Sequence, residues 1–403
     1  MKSASAPHRL AKRFPHAAPD GLVASVLLAF LATAGLFYVN IMPALVSGLV
    51  EALHFSPRDA GFVASANVYG AALGALLAAF LIRRLPWRPT AITTLLSMAA
   101  IDLISILIVE PAPMIPLRFL HGTIGGVLVG VAFSVIARTR RPDQNFGMLL
   151  VVSAGMGGLG LMVLPRLVPI FGAQALFLAL AGFSALTLAM IPFIGEYPVP
   201  KAQVAVHSSS GIPAEGRSVV PLSLALLSVF LFQGSNMALS AYIIELGRAY
   251  GLETNFISTS LGLAGWIGAV GSLIVVKIGV RWGRVRPLAI GLFLAVASNA
   301  AYHWSVYAWI YAGASILSGI AWFFTIPYLL GLCAAFDRFG RAATFAGFAS
   351  KMGLATGPLA ASLLLDGTSY TRLINLSVTG LALSGLVAIF PARLHDRVHS
   401  EMT

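Results

Sequence analysis

AATFAGFASKMGLATGPLAASLLL, residues 342–365, is long enough to cross a bilayer, which takes about 20 apolar residues. It is almost wholly apolar except at Lys351, near its middle. An ionised amine at the centre of a membrane helix costs about 2.5–3.5 kcal/mol on insertion scales, so function is its first reading. At helical spacing the face bearing Lys351 carries Thr344, Gly347, Ala355, Pro358 and Ser362, all small or weakly polar. The opposite face carries Phe345, Phe348, Met352, Leu359 and Leu363, which suits lipid. The small face suits a bundle interior or a water-filled cavity. The rival reading is a structural lysine paired with a carboxylate on a neighbouring helix.

The rest of the chain has the same character. Of 403 residues, 58% are hydrophobic and 10% charged, and the mean hydropathy is +0.88. A soluble domain carries about 25% charged residues, so this is a polytopic membrane protein. Cys333 is the single cysteine and cannot form an intramolecular disulfide. The net charge of +12 does not point to nucleic acid, because the basic residues gather in short loops between apolar runs. The first run, 22–50, exceeds a signal-peptide core and reads as a retained helix.

About twelve runs are long enough to span: 22–50, 57–82, 89–110, 112–137, 146–168, 173–195, 219–246, 254–278, 286–304, 307–335, 341–365 and 371–391. With both termini in the cytoplasm, about 20 of the 26 Lys and Arg fall on the cytoplasmic side, against Arg58, Arg166, Arg248 and Arg372 opposite. Residues 196–218 are polar and rich in Ser, Pro and Gly, and read as a linker. The predicted organisation is a tail (1–21), a six-helix bundle (22–195), the linker (196–218), a second six-helix bundle (219–391) and a tail (392–403).

The halves echo each other. Arg88-Pro89-Thr90-Ala91-Ile92 opens span three and Arg286-Pro287-Leu288-Ala289-Ile290 opens span nine. Phe146-Gly147, Gly160-Leu161 and Pro165 match Phe339-Gly340, Gly353-Leu354 and Pro358 at one offset. Parallel halves related by an axis along the membrane normal are a transporter plan, with substrate bound between them at mid-depth.

On these features the chain resembles the major facilitator superfamily (MFS). The resemblance covers nearly all of it and implies an all-α fold of two pseudo-symmetric six-helix bundles, with both termini inside. Arg118-Phe119-Leu120-His121-Gly122-Thr123-Ile124-Gly125-Gly126 is similar to the family's Arg-x-x-x-Gly-x-x-Gly signature, often linked to proton coupling. The loop signature between spans two and three departs from the pattern. Arg83 stands where Asp is usual, and Val280 replaces it in the second copy. Arg83, Arg84, Arg88, Arg281 and Arg284 are the candidate gating-loop residues, and the carboxylate that usually pairs with such a loop is missing from both copies.

Arg118 can clamp a carboxylate in a bidentate fork, or hold a helix–helix bond. His121, one turn away, can carry protons or pack as a hydrogen-bonding residue. Asp102 needs a partner or a proton at its depth; an ion pair with Arg118 competes with proton carriage. Glu245 lies three residues before Arg248, which suits a solvated pair at the mouth as well as coupling. The resemblance implies that spans one, two, seven and eight line the cavity. They offer Tyr38, Asn40, Asn67, Tyr69, Gln233, Asn236 and Trp266; span ten adds Trp322 and Tyr328. Aromatics and amides suit a small organic ligand.

Span one has no acidic residue, which disfavours the sugar-import and cation-export modes of this fold. Lys351 and Arg118, projected from opposite halves, favour an anion. Gly155-Met156-Gly157-Gly158-Leu159-Gly160 satisfies a dinucleotide pattern but lies inside an apolar span, where close helix packing explains it. There is no metal-ligand cluster and no nucleophile elbow, so an enzyme is not expected, and no cofactor. The sequence reading is a multi-pass transporter of the bacterial inner membrane, monomeric by the habit of the family. It moves a small organic anion, such as an aromatic carboxylate, with protons as the coupling partner. The rivals are an exporter of drugs or amphipathic compounds and a non-transporting sensor; short tails argue against the sensor.

Overall fold

The structure is a computed structural model. It describes residues 17–19, 21–81, 86–197, 220–279, 281, 283–336, 341–365 and 370–400. The helices are α1 (Leu22–Asn40), α2 (Met42–Leu53), α3 (Pro57–Leu81), α4 (Trp87–Ser105), α5 (Pro111–Ile136), α6 (Pro142–Phe171) and α7 (Gln174–Met190) in the first half. The second half has α8 (Val220–Ala241), α9 (Ile243–Ala249), α10 (Thr254–Gly268), α11 (Val270–Ile278), α12 (Val285–Ala301), α13 (Ala308–Ala335), α14 (Arg341–Leu364) and α15 (Thr371–Ser400). Ten helical segments among the described residues are long and apolar enough to cross a membrane. The runs expected at 89–110 and 341–365 form α4 and α14, which are less apolar; they carry Asp102 and Lys351.

Three of the expected spans divide, the eighth at Ala269 between α10 and α11 and two others at matching places. The first divides at Ile41 (φ −107°, ψ 13°) and the seventh at Tyr242 (φ −111°, ψ 15°). Pro43 lies just after the first break and has no N–H for the carbonyl one turn back. The second break has no proline. It falls where the Tyr242 hydroxyl donates across to Pro57 O at 2.8 Å.

The packing is duplicated as the sequence echo predicts. α1 lies against α5, α6 and α7, as α8 lies against α13, α14 and α15. α3 pairs with α5 as α10 pairs with α13, and α4 with α7 as α12 with α15. The α3–α5 pair is the tightest in the first half. A Cβ on Gly122 would overlap Asn67 O, and one on Gly74 would overlap Thr123 O, so small residues let two backbones touch. Across the halves α3 meets α14 and α6 meets α10, while α2 meets α8 and α9.

The two ends of the molecule differ. We call the end where α1 begins and α15 finishes the near end. Among the described residues, the core of the first half continues into the second through buried residues of Ala238–Leu246, Ile257, Leu261, Tyr302, Tyr311, Ala314, Ala355, Ala361, Leu373 and Ile374, all toward the far end. The near-end parts of α8, α12, α13 and α15 form a separate core. Among the described residues, apolar packing thus joins the halves at the far end and leaves them in separate cores at the near end.

Candidate functional site

Lys351 lies mid-way along α14, half-buried, with no hydrogen bond or ion pair to a described residue. Toward the far end its face (Ala355, Pro358, Ser362) is buried, and Pro358 and Ser362 meet Gly61 of α3 across the halves. One turn toward the near end, Gly347 is exposed, and a Cβ there would touch nothing. Lys351 therefore stands where the seam between the halves gives way to open space. Phe345 and Leu363 on the opposite face are 56% and 59% exposed, as a lipid-facing stripe requires.

Polar side chains from α3, α8 and α13 surround this level of α14. Gln233 of α8 donates from Nε2 to Ser350 Oγ at 2.8 Å and accepts at Oε1 from Trp322 Nε1 at 2.8 Å. Tyr69 OH lies 2.9 Å from Thr356 Oγ1. Asn236 is buried and donates to Phe232 O within its own helix. Lys351, Gln233, Trp322 and Tyr69 are thus brought to one level. Ser350 and Thr356 belong with them and were not singled out in the sequence, where small polar residues on a membrane helix are common.

Arg118 sits in a second cluster. It is fully buried, donates from Nη1 to Asp102 Oδ1 at 2.8 Å and from Nη2 to Ile101 O at 3.2 Å, and also bonds Ser105 Oγ. Its guanidinium carbon lies 5.1 Å from the Phe177 ring centroid. Asp102 is equally buried. The competing ion pair named from the sequence is therefore formed, and in this conformation Arg118 has no charge to offer a carboxylate guest. Asn67 Nδ2 donates to Arg118 O at 3.1 Å, which fixes the amide with nitrogen inward. The same nitrogen lies 2.9 Å from His121 Nδ1, which must accept. A neutral His121 then carries its proton on Nε2, 3.3 Å from Asp102 Oδ2 though not aligned for a hydrogen bond. The Tyr38 ring packs 6.0 Å from the imidazole.

The far end is clasped. Arg248 Nη2 reaches Glu51 Oε2 of the first half at 2.6 Å, and Nη1 holds Glu245 Oε1 at 3.0 Å. Ser47 Oγ, also in the first half, donates to Glu245 Oε1 at 2.7 Å. Glu245 thus lies in an ion-pair network at the mouth. Arg166 makes a second clasp, donating from Nε to Ser258 Oγ at 2.9 Å and from Nη2 to Asn255 O at 3.2 Å. Arg248→Ala should loosen this end. Labelling of a cysteine replacing buried Ser362 by an impermeant maleimide should rise about two- to fivefold, since part-exposed pairs contribute about 0.5–1 kcal/mol. An unchanged rate would show that the clasp does not hold the far end shut.

At the near end, Arg83 and Arg84 lie outside the described residues. Arg88 bonds Ile194 O, and its Nε lies 3.3 Å from Glu196 Oε1. Arg281 is exposed. The backbone N–H groups of Arg284 and Val285 donate to the Asp396 carboxylate at 2.9–3.0 Å, an anion at the start of α12. Gly283 (φ 68°) is the turn that permits this; a side chain there would be strained and would meet the carboxylate. Carboxylates reach these loops from elsewhere: Glu196, just after α7, and Asp396, in the near-end turns of α15. Neither was singled out in the sequence.

The remaining candidates lie elsewhere. Asn40 donates to Ser153 Oγ at 2.7 Å and ties α1 to α6. Trp266 seals the α6–α10 seam, donating to Gly155 O at 3.1 Å and packing on Gly158. Tyr328 points to the near end, its hydroxyl donating to Gly279 O at 2.9 Å, so it is not brought to the Lys351 level.

The model of the Major Facilitator Superfamily matches residues 25–349. No curated protein sequence matches the chain. Among solved structures, the nucleoside transporter NupG superposes with TM-score 0.70 at 12% identity, covering 91% of this chain and 98% of its own. A D-xylose-proton symporter gives 0.66 at 14%, covering 93% and 96%. The POT family transporter PepTSo gives 0.67 at 12%, covering 94% and 99%. These likenesses establish the fold. With the family match they place the chain, a multi-pass membrane protein of transporter type and not an enzyme, in the Major Facilitator Superfamily.

Proposed function

We infer that the protein is a secondary active transporter of the bacterial inner membrane that moves a small organic anion by alternating access, coupled to protons. An aromatic carboxylate is the preferred guest. Twelve crossings follow if α4 and α14 span with the ten more apolar segments, and the basic loops then put both termini in the cytoplasm. The far-end clasp and the divided near end would make this an inward-facing state.

One observation carries the reading: a half-buried cation at the head of the open seam with no partner among the described residues. An unpaired charge at such depth is costly unless an anion arrives to meet it. A cationic or neutral drug leaves that charge unanswered, which favours the anion over the exporter reading. Arg118, held by Asp102, belongs with His121 to the coupling machinery. Solute counterflow in proteoliposomes over a panel of carboxylates and cationic drugs tests this. Exchange of carboxylates and not of drugs is the expected result; drug exchange alone would reverse the assignment. Substrate-driven pH change in a weakly buffered medium tests the coupling.

A further inference from the structure

Trp322, Gln233 and Ser350 form a hydrogen-bonded chain whose direction is fixed at one end. An indole N–H only donates. Trp322 Nε1 bonds Gln233 Oε1 at 2.8 Å, so the amide nitrogen faces the other way and donates to Ser350 Oγ at 2.8 Å. Ser350 accepts there and keeps its own proton.

On a helix a Ser or Thr hydroxyl can return that proton to a carbonyl one turn back. Thr356 does so, to Met352 O at 2.8 Å, which leaves Tyr69 as donor to Thr356. Ser362 does so, to Leu359 O at 2.6 Å. Ser350 has no acceptor among the described residues. At about 100° per residue, the face between Ser350 and Lys351 carries Gly347, one turn toward the near end. That is the position whose Cβ would meet nothing. A hydroxyl donor and an ammonium, each without a partner among the described residues, thus border one open wedge.

The geometry points to a two-donor seat for an oxyanion, in which the Ser350 hydroxyl and the Lys351 ammonium each take one oxygen of a single carboxylate. Trp322 and Gln233 hold the hydroxyl in its donating sense. The seat rests on Lys351 being the substrate's counter-charge. It adds what makes the site select a carboxylate rather than any negative charge: two acceptors on one carbon, met by one charged and one neutral donor. The first half has a partial echo in Asn40 and Ser153, an amide on a first helix and a hydroxyl on a fifth. Neither neighbour of Ser153 is a cation.

The test is titration calorimetry of benzoate, acetate and phthalate, with benzamide as the neutral isostere of benzoate, against the purified full-length protein. Ser350→Ala should weaken benzoate about tenfold, the effect of one hydrogen bond to a charged acceptor. It should also narrow the preference for benzoate over benzamide, while Ser350→Thr stays near the unmodified protein. Trp322→Phe leaves the seat in place but frees the amide to turn, and should weaken benzoate about threefold. It serves alone if Ser350→Ala does not fold. Unchanged benzoate affinity in Ser350→Ala or Trp322→Phe, with loss in Lys351→Ala, overturns the seat and leaves the counter-charge standing. If the three carboxylates fail to bind the unmodified protein, or bind Lys351→Ala equally well, both fall.

Discussion

Lys351→Ala is expected to lower carboxylate counterflow, as kcat/KM, by about 30-fold or more, because losing one partner of a desolvated charge contact costs about 2–5 kcal/mol. The same substitution should leave thermal stability unchanged or raise it. Lys351 makes no ion pair with a described residue, so its removal strands no described carboxylate and relieves a costly charge. A lysine kept to pair with an acid would behave the other way, losing several kcal/mol of stability and little flux. Unfolding in detergent and counterflow on the same preparation therefore separate the two explanations by sign. Full flux with a large drop in stability would end the counter-charge model.

The lysine was legible because a single charge breaks an otherwise apolar run, and because helical periodicity at 3.6 residues tells which neighbours share its face. The apolar runs that form the ten membrane-length segments were legible for the same reason, and the duplication from short identities such as Arg88-Pro89 with Arg286-Pro287. What stayed hidden depends on contacts between distant segments. Glu245 was paired in advance with Arg248, three residues on; nothing local announced Glu51 of α2 as the third member. Ser350 reads as one more small polar residue until Gln233 and Trp322 arrive from two other helices. Asp396 looked like a charge in a polar tail, because only the folded chain sets it on the amides that open α12. The breaks at Ile41 and Tyr242 were unseen for a different cause. Membrane helices tolerate proline and unwinding wherever neighbours satisfy the backbone, so sequence does not mark them sharply.

Arg118→Leu should destabilise the fold by about 3–5 kcal/mol, the cost of stranding a buried carboxylate. Asp102 has no exposure, and Arg118 Nη1 is its hydrogen-bond donor at 2.8 Å. Asp102→Leu should cost about as much by stranding the guanidinium, which Ser105, Ile101 O and the Phe177 ring do not neutralise. The double variant, which removes both charges, should recover most of the loss, since an apolar pair of similar size is often as stable as a buried ion pair. Unfolding in detergent for the four proteins closes the cycle. If the double variant falls as far as the sum of the singles, the two side chains do not act as a charge pair.

Asp102→Asn keeps the shape and removes the proton acceptor that faces the Nε2 side of His121. Counterflow requires no net proton movement and should stay within about threefold of the unmodified protein. Concentrative uptake driven by a pH gradient should fall about tenfold or more, on the scale that a positioned proton acceptor contributes. Coupling by this cluster would be refuted by gradient-driven uptake that survives in Asp102→Asn. Equal loss of both activities would make the cluster a structural brace between α4 and α5. The arrangement favours the first outcome, because Asp102 holds a fixed cation on one oxygen and faces a titratable ring with the other. A carboxylate shared in that way can release Arg118 when it is protonated, and the α4–α5 contact is then free to change as the halves rock.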